Sequence, residues 1–399
     1  MFEIKMRRGI RARNAPGSGM PRLLLIAAVL GMFTAGASGT TRAPFLIDMA
    51  RDLDSSVAII ANLLAVNSIA WGGAAFLAGP GSDRFGCRPF LIGAPIGLAC
   101  ASVGIALAPN LLFVAVWTTI GGFCCGMFTG PIFTEVSHRV AAAQQGRALG
   151  WVMSGQSLTL LIGAPAAAWM GAYVGWRGVF VCVGGLGLFA ALGFFFTVRP
   201  HVAVASTTKY RAPSLRAALS AKVLRLLVLG VAERICYGLV VVYFATFLQV
   251  TFVLPIEDIV WPLGIFAMGT ILGTIVGGQI ADWVSNRRLA YALSMLSAAL
   301  IALALFGWTP NMATTVALGF TYMFCNALAR PSLMASLADV DAQVRGKVMG
   351  LSVTSNSMGW LGAAALGGWM MAEFGFGSFG PLTLVITVIS VVLALTGWH

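Results

Sequence analysis

The chain has 399 residues, 59% of them hydrophobic and 10% charged, with a mean hydropathy of +0.90. A soluble domain carries about 25% charged residues, and a soluble chain this apolar would expose far too much greasy surface, so a soluble enzyme or regulator is excluded. The net charge of +12 falls mostly in alternate polar connections, which is the signature of membrane insertion rather than of nucleic-acid binding.

Residues 1–21 are polar and basic, with Lys5, Arg7, Arg8, Arg11 and Arg13, and read as a cytosolic tail. The following apolar run is too long for a signal peptide and shows no A-x-A-like cleavage site. Apolar runs follow at 23–46, 57–78, 90–108, 111–136, 148–172 and 178–197, then at 225–249, 259–281, 288–308, 312–337, 347–371 and 377–397. One spanning helix needs roughly 20 apolar residues, so about twelve transmembrane helices are predicted in an all-α integral membrane protein. Even-to-odd connections hold Arg84, Arg88, Arg139, Arg147, Arg287, Arg288, Arg345 and Lys347, which places both termini in the cytosol. Odd-to-even connections hold Asp48, Asp52, Asp54, Glu257, Asp258 and Glu373, with Arg51 and Arg177. The segment 199–224 is a basic cytosolic linker between two bundles, 22–198 and 225–399; within it, Pro213 to Lys222 could form an amphipathic helix on the inner leaflet.

None of the seven cysteines sits in an extracytoplasmic connection, so no disulfide is expected. Cys124-Cys125 has no second ligand pair nearby, and the three histidines are scattered. No metal site, cofactor or catalytic residue is predicted.

The second polar connection reads Gly79-Pro80-Gly81-Ser82-Asp83-Arg84-Phe85-Gly86-Cys87-Arg88. Its glycines suggest a tight turn. Gly79-x-x-x-Asp83 returns as Gly278-x-x-x-Asp282; Gly146-Arg147 returns as Gly346-Lys347; Pro131 matches Pro331; Trp169-Met170 matches Trp369-Met370. An offset close to 200 residues relates all of these pairs, so the chain is a duplication. The pattern G-x-x-x-D-R-x-G-x-R resembles the loop signature of the major facilitator superfamily. The resemblance covers nearly the whole chain after the tail. It implies two parallel six-helix repeats with a substrate site between them near the midplane. Gly79, Asp83, Arg84, Gly86 and Arg88, with Gly278 and Asp282, then become candidate gating residues.

The fifth run carries Gly163-Ala164-Pro165 and is similar to the Gly-Pro element of the bacterial drug/proton antiporter branch, in which Gly163 and Pro165 would shape the helix. The chain departs from that branch in the fourth run. An arginine is often found there four positions before a glycine, whereas Trp117 and Thr118 precede Gly121 and Gly122 here. The usual account of proton coupling is therefore in doubt.

Ionisable groups inside apolar runs are costly and point to a site. Thr34, Ser38 and Arg42 share one face of the first helix by spacing of four, and Tyr322, Asn326 and Arg330 share one face of the tenth. Glu233, Arg234 and Tyr237 lie in the seventh run, and Glu135 closes the fourth. The resemblance implies that the first, fourth, seventh and tenth helices line the cavity, so these residues are the candidate substrate-binding and coupling groups. Arg42 is either an anion anchor or a side chain snorkelling to the interface. Glu233 and Arg330 are expected to pair when the inner side is closed and to part when it opens.

The resulting expectation is a monomeric secondary transporter of a bacterial inner membrane. It would export a small organic solute by alternating access, with protons as candidate coupling ions and membrane lipids around it. Uptake or exchange of a small organic anion, lipid or lysolipid translocation, and a non-transporting scaffold or receptor are the alternatives. The polar stripes argue against the last, since a scaffold need not keep costly charges inside.

Overall fold

The structure, a computed structural model, describes residues 21–140, 144–198, 220–284, 286–339 and 342–396. The expected tail, the linker residues 199–219 and the side chain of Asp83 lie outside the described residues.

Twelve long helices account for nearly all of what is described. α1 runs from Arg22 to Asp52, α2 is Val57–Phe85, α3 Cys87–Ala106, α4 Leu111–Arg139, α5 145–174 and α6 176–197. After the linker, α7 is Ala221–Phe252, α8 Val260–Trp283, α9 Arg287–Gly307, α10 Met312–Ala338, α11 Ala342–Phe374 and α12 Phe379–Leu395. Among the described residues, ten segments are long and apolar enough to cross a membrane, the 51-residue stretch Arg147–Thr197 counting as one and α11 not among them. At 1.5 Å per residue that stretch would measure roughly 75 Å, about twice the thickness of a bilayer core or more. Gly175, at φ 67° and ψ 172°, turns the chain back and makes two spans of it. Backbone with φ > 0 carries little penalty only for glycine.

The helix starts follow from side-chain caps. Ser56, Asn110, Ser220, Asn286 and Asn311 each accept a hydrogen bond from the backbone N–H three residues on, opening α2, α4, α7, α9 and α10. Three details differ from the sequence expectation. α1 does not end near residue 46 but passes through a 3-10 turn, Ala43–Phe45, into the short helix Leu46–Asp52. The connection between α5 and α6 is a single glycine rather than a loop. The α2–α3 turn is likewise Gly86 alone, at φ 78°, because α2 continues through Gly79 and Pro80 to Phe85. In α5 a π-turn, Thr159–Gly163, precedes Ala164-Pro165, where proline has no N–H to give and the helix widens by a residue.

The duplication reappears in the packing. In the first half α1 packs on α5, α2 on α4, and α3 on both α4 and α6; in the second, α7 packs on α11, α8 on α10, and α9 on both α10 and α12. Each partnership is the earlier one advanced by six helices, as two six-helix repeats require. The halves meet through α2 against α11 and α5 against α8, with α7 also touching the Ala43–Phe45 turn. Glycines set the closest approaches. A Cβ on Gly126 of α4 would lie 2.3 Å from the Trp71 carbonyl of α2, and one on Gly273 of α8 would lie 2.3 Å from the Phe324 carbonyl of α10.

Gly273→Val should therefore force α8 and α10 apart. We expect a destabilisation of about 1–3 kcal/mol, typical of overpacking, read as a lower melting temperature of the detergent-solubilised protein. Gly278→Val, where a Cβ would meet no atom within 4 Å, should leave the melt unchanged.

Candidate functional site

Charged groups meet the interior at two places. The first is the junction where α1 enters its 3-10 turn. Arg42 stands there, only 3% exposed. Its Nη2 donates to Thr118 Oγ1 on α4 at 3.0 Å, and its guanidinium lies 5.4 Å from the centroid of the Phe180 ring on α6. Nε and Nη1 are buried and meet no acceptor, and among the described residues no carboxylate pairs with this cation. Burial of the side chain rules out snorkelling. Across from it the second half presents Val241, Val242 and Trp360, which close a cavity of about 20 Å³ around Arg42.

The second place is Glu233 on α7, 0% exposed. Arg234 reaches both of its oxygens, Nη2 to Oε1 at 2.5 Å and Nε to Oε2 at 2.8 Å. Arg330 Nη1 on α10 donates to Oε2 at 3.0 Å. Arg234 also stacks over Tyr237, whose ring meets Trp360 edge-on at 5.7 Å. The expected Glu233–Arg330 pair is thus present, with Arg234 as a second cation on the same carboxylate.

The other candidates are scattered by comparison. Thr34 and Ser38 spend their hydroxyls on α1 itself, on the Leu30 and Ala35 carbonyls, although Ser38 also faces Cys125 Sγ at 3.5 Å. Tyr322 donates to the Cys236 carbonyl at 2.8 Å. Asn326 Nδ2 meets Met295 Sδ, while its Oδ1 is buried without a donor. Glu135 pairs with Arg139 one turn on, at the end of α4. Of the gating residues, Arg84 is exposed and lies over the Phe85 ring, and Arg88 lies over Phe195 of α6. Asp282 lines an exposed groove with Lys222, Arg287, Arg288 and Asp339, in which Arg287 and Asp339 form an ion pair. Gly163 and Pro165 flank the end of the π-turn in α5, where Thr159 Oγ1 donates to the Phe33 carbonyl of α1.

Access to the middle differs at the two ends. At the end remote from Pro21 and Thr396, one apolar core joins the halves: Phe45, Met49 and Ile60 pack in the same cluster as Phe244, Phe247 and Phe379. Gln249 Nε2 crosses there to the Pro44 carbonyl at 3.0 Å. At the terminal end the cores are separate. One holds Leu24, Met32, Phe128 and Phe194 of the first half alone, and the other Val223, Tyr291, Leu333 and Val391 of the second alone. A groove of about 930 Å³ opens on that side, lined by Leu25, Val29, Phe33 and Trp151 with Arg22 and Arg147. Among the described residues, the halves share one core at one face and keep separate cores at the other. Glu233 and Arg330 are paired in this state, and both belong to the same half.

The sequence pattern does not mark Thr118 or Phe180 as partners of Arg42, nor Trp360 as a wall of the cavity beside it. The pattern marks Thr118 only as a place that lacks an arginine, and no spacing shows that Arg42 reaches it from another helix.

The sequence profile described as Major Facilitator Superfamily matches residues 28–342 and 226–397. The uncharacterized MFS-type transporter YwfA of Bacillus subtilis is 26% identical over 94% of this chain and 92% of its own length. The chloramphenicol resistance protein of Streptomyces lividans is 26% identical over 92% and 97%, and the inner membrane transport protein YdhP of Escherichia coli O157:H7 is 25% identical over 90% and 91%. Among solved structures, a variant of the nucleoside transporter NupG shares the fold at a TM-score of 0.75 and 16% identity, over 94% of this chain and 98% of its own. A bacterial homologue of the lysosomal transporter Spinster does so at 0.72 and 15%, over 95% of both.

Removing the carboxylate of Glu233 would leave two partly buried guanidiniums without their shared counter-charge. Glu233→Ala should cost about 3–5 kcal/mol, the range for breaking a buried ion pair from one side, and thermal melts of the purified protein would read it. The double variant with Arg330→Met should recover part of that loss.

Proposed function

This chain belongs to the Major Facilitator Superfamily and is a multi-pass membrane transporter rather than an enzyme, and on that premise we propose that it exports a small organic solute from the bacterial cytosol by alternating access. The observation that carries this reading is the asymmetry of the cores: one shared core seals the halves at one face, while two separate cores leave them parted at the other. Two rigid bundles that share packing at one end only can rock about a central site, as alternating access requires.

The parted face is the cytosolic one in this reading. Arg84, Arg88, Arg139, Arg147, Arg287 and Arg288 lie at its helix ends, as the excess of Lys and Arg in cytosolic loops would have it. Solute would enter there, and closure of that face would open the other. The name of the Streptomyces lividans relative, a resistance protein, supports export. Asp83, Arg84 and Arg88 would govern closure on the first half, with Asp282 as the second-half counterpart. Both oxygens of Glu233 are taken by guanidinium donors, so proton coupling through it would require a hydrogen bond to give way. Uptake or exchange of a small organic anion is the second reading, favoured by the unpaired charge of Arg42.

Two measurements test this. In intact bacteria, Glu257→Cys and Glu373→Cys, both exposed at the closed face, should react with an impermeant thiol reagent in a background lacking the native cysteines; labelling at Arg84→Cys instead would reverse the orientation. In a host stripped of its own pumps, expression should lower retention of labelled chloramphenicol and related small aromatic solutes. Raised retention would replace export by uptake.

A further inference from the structure

We propose that Arg42 is the anchor for the carboxylate of a small organic monoanion with an apolar body, and that this anion is what allows the two halves to close over the site. The inference rests on the transporter reading and names the class of solute.

A guanidinium has five N–H donors and no way to shed its charge inside a protein. Arg42 places one nitrogen on the Thr118 hydroxyl and its face on Phe180, both uncharged partners. Nε and Nη1 keep three N–H groups between them, buried and without acceptors. A buried cation is stable when a counter-charge and hydrogen-bond acceptors meet it, and strongly unfavourable otherwise. Among the described residues no carboxylate brings that counter-charge, and the buried carboxylate of Glu233 is held by Arg234 and Arg330. One buried arginine, Arg42, and two partly covered ones, Arg234 and Arg330, against one buried glutamate leave a surplus of positive charge. A mobile anion supplies what is missing.

The walls describe the rest of the ligand. Leu46, Ile60, Leu64, Val241, Val242 and Trp360 line the cavity beside Arg42, so the body that accompanies the charge is aliphatic or aromatic. One guanidinium in such a wall balances one negative charge. A dianion would bury an unpaired charge of its own, which favours a carboxylate over a phosphate. The cavity of about 20 Å³ admits no more than a water-sized group when the halves are closed. Its floor belongs to the first half, through α1 and α2, and its lid to the second, through α7 and α11. Parting the halves at the face that is closed here would therefore uncover Arg42 with its bond to Thr118 intact. Closing them over a bare guanidinium buries a charge; closing them over a carboxylate pair buries a neutral unit. The loaded carrier should thus reorient faster than the empty one, and exchange of anions should outrun net movement.

The test uses the purified full-length protein in detergent and two matched pairs of probes, benzoate with benzamide and hexanoate with hexanamide. At equal concentration and ionic strength, the carboxylates should raise the melting temperature in a concentration-dependent way and the amides should not. Arg42→Met should melt higher than wild type without ligand, since it removes an uncompensated charge, and should ignore the carboxylates. Arg42→Lys should keep only part of the carboxylate shift. A shift given equally by chloride or by the amides, a larger one from methyl phosphate, no shift from either carboxylate, or an Arg42→Met protein that melts below wild type would each overturn the proposal. The carboxylate comparison needs no variant, so misfolding cannot mask the answer. Binding is read apart from direction: a protein that takes carboxylates yet fails to export them sinks the export reading alone, and one that moves neutral solutes but is blind to carboxylates sinks this one alone.

Discussion

A membrane interior tolerates few charges, and the placement of four of them governs this molecule. Glu233 sits between Arg234 and Arg330, bonded to both. Arg42 sits apart with a hydroxyl and a ring face for company. The two arrangements have opposite mechanical meanings. The Glu233 cluster lies wholly in the second half, tying α7 to α10, and rocking of one half against the other leaves it intact. Arg42 is held by the first half and covered by the second, so every change in the angle between halves changes its surroundings.

The helix pairings explain how such a change is possible. Each half closes its own packing scheme, α2 on α4 and α3 on α6 in one, α8 on α10 and α9 on α12 in the other. Backbone contacts as close as those at Gly126 and Gly273 lock those pairs internally. The seams between halves are fewer: α2 against α11 and α5 against α8. Along the first seam a Cβ on Gly72 would lie 3.1 Å from Ser357, and one on Gly368 would lie 3.2 Å from the Ala58 carbonyl. Small residues without interlocking side chains permit a roll between α2 and α11 that tightly meshed larger side chains would resist. The rigid units and the hinge lines thus both follow from where the small residues fall.

Much of this was legible before any coordinates. Composition and the lengths of apolar runs gave a polytopic membrane protein, and the offset close to 200 residues between Gly79-x-x-x-Asp83 and Gly278-x-x-x-Asp282 gave the duplication. Glu233 and Arg330 were recognisable as partners because two opposite charges in apolar runs have few other ways to be stable. What stayed hidden depended on the chain doing something a period cannot express. Gly175 and Gly86 each turn the chain with a single positive-φ residue, where the sequence suggested loops several residues long. α1 continues past Pro44 because a 3-10 turn absorbs the proline, and that turn fixes the direction of Arg42. Spacing of four places Thr34, Ser38 and Arg42 on one face, but Thr34 satisfies its own helix, Ser38 bonds its own helix and meets Cys125 of α4, and Arg42 reaches across to Thr118.

The position of Thr118 shows why that reach matters. The fourth helix lacks the arginine that its glycine context suggested, and a guanidinium arrives at that spot from α1 instead. A cation carried by α4 would stand on a helix packed firmly against α2 through Gly122 and Gly126, deep in one rigid half. A cation carried by α1 stands at a 3-10 junction whose neighbour is α7 of the other half. The charge is in nearly the same place, yet its cover now belongs to the moving partner. Relocating one arginine by a helix turns a fixed electrostatic feature into one whose cost depends on conformation, and a conformation-dependent cost is what a ligand can relieve to drive a cycle.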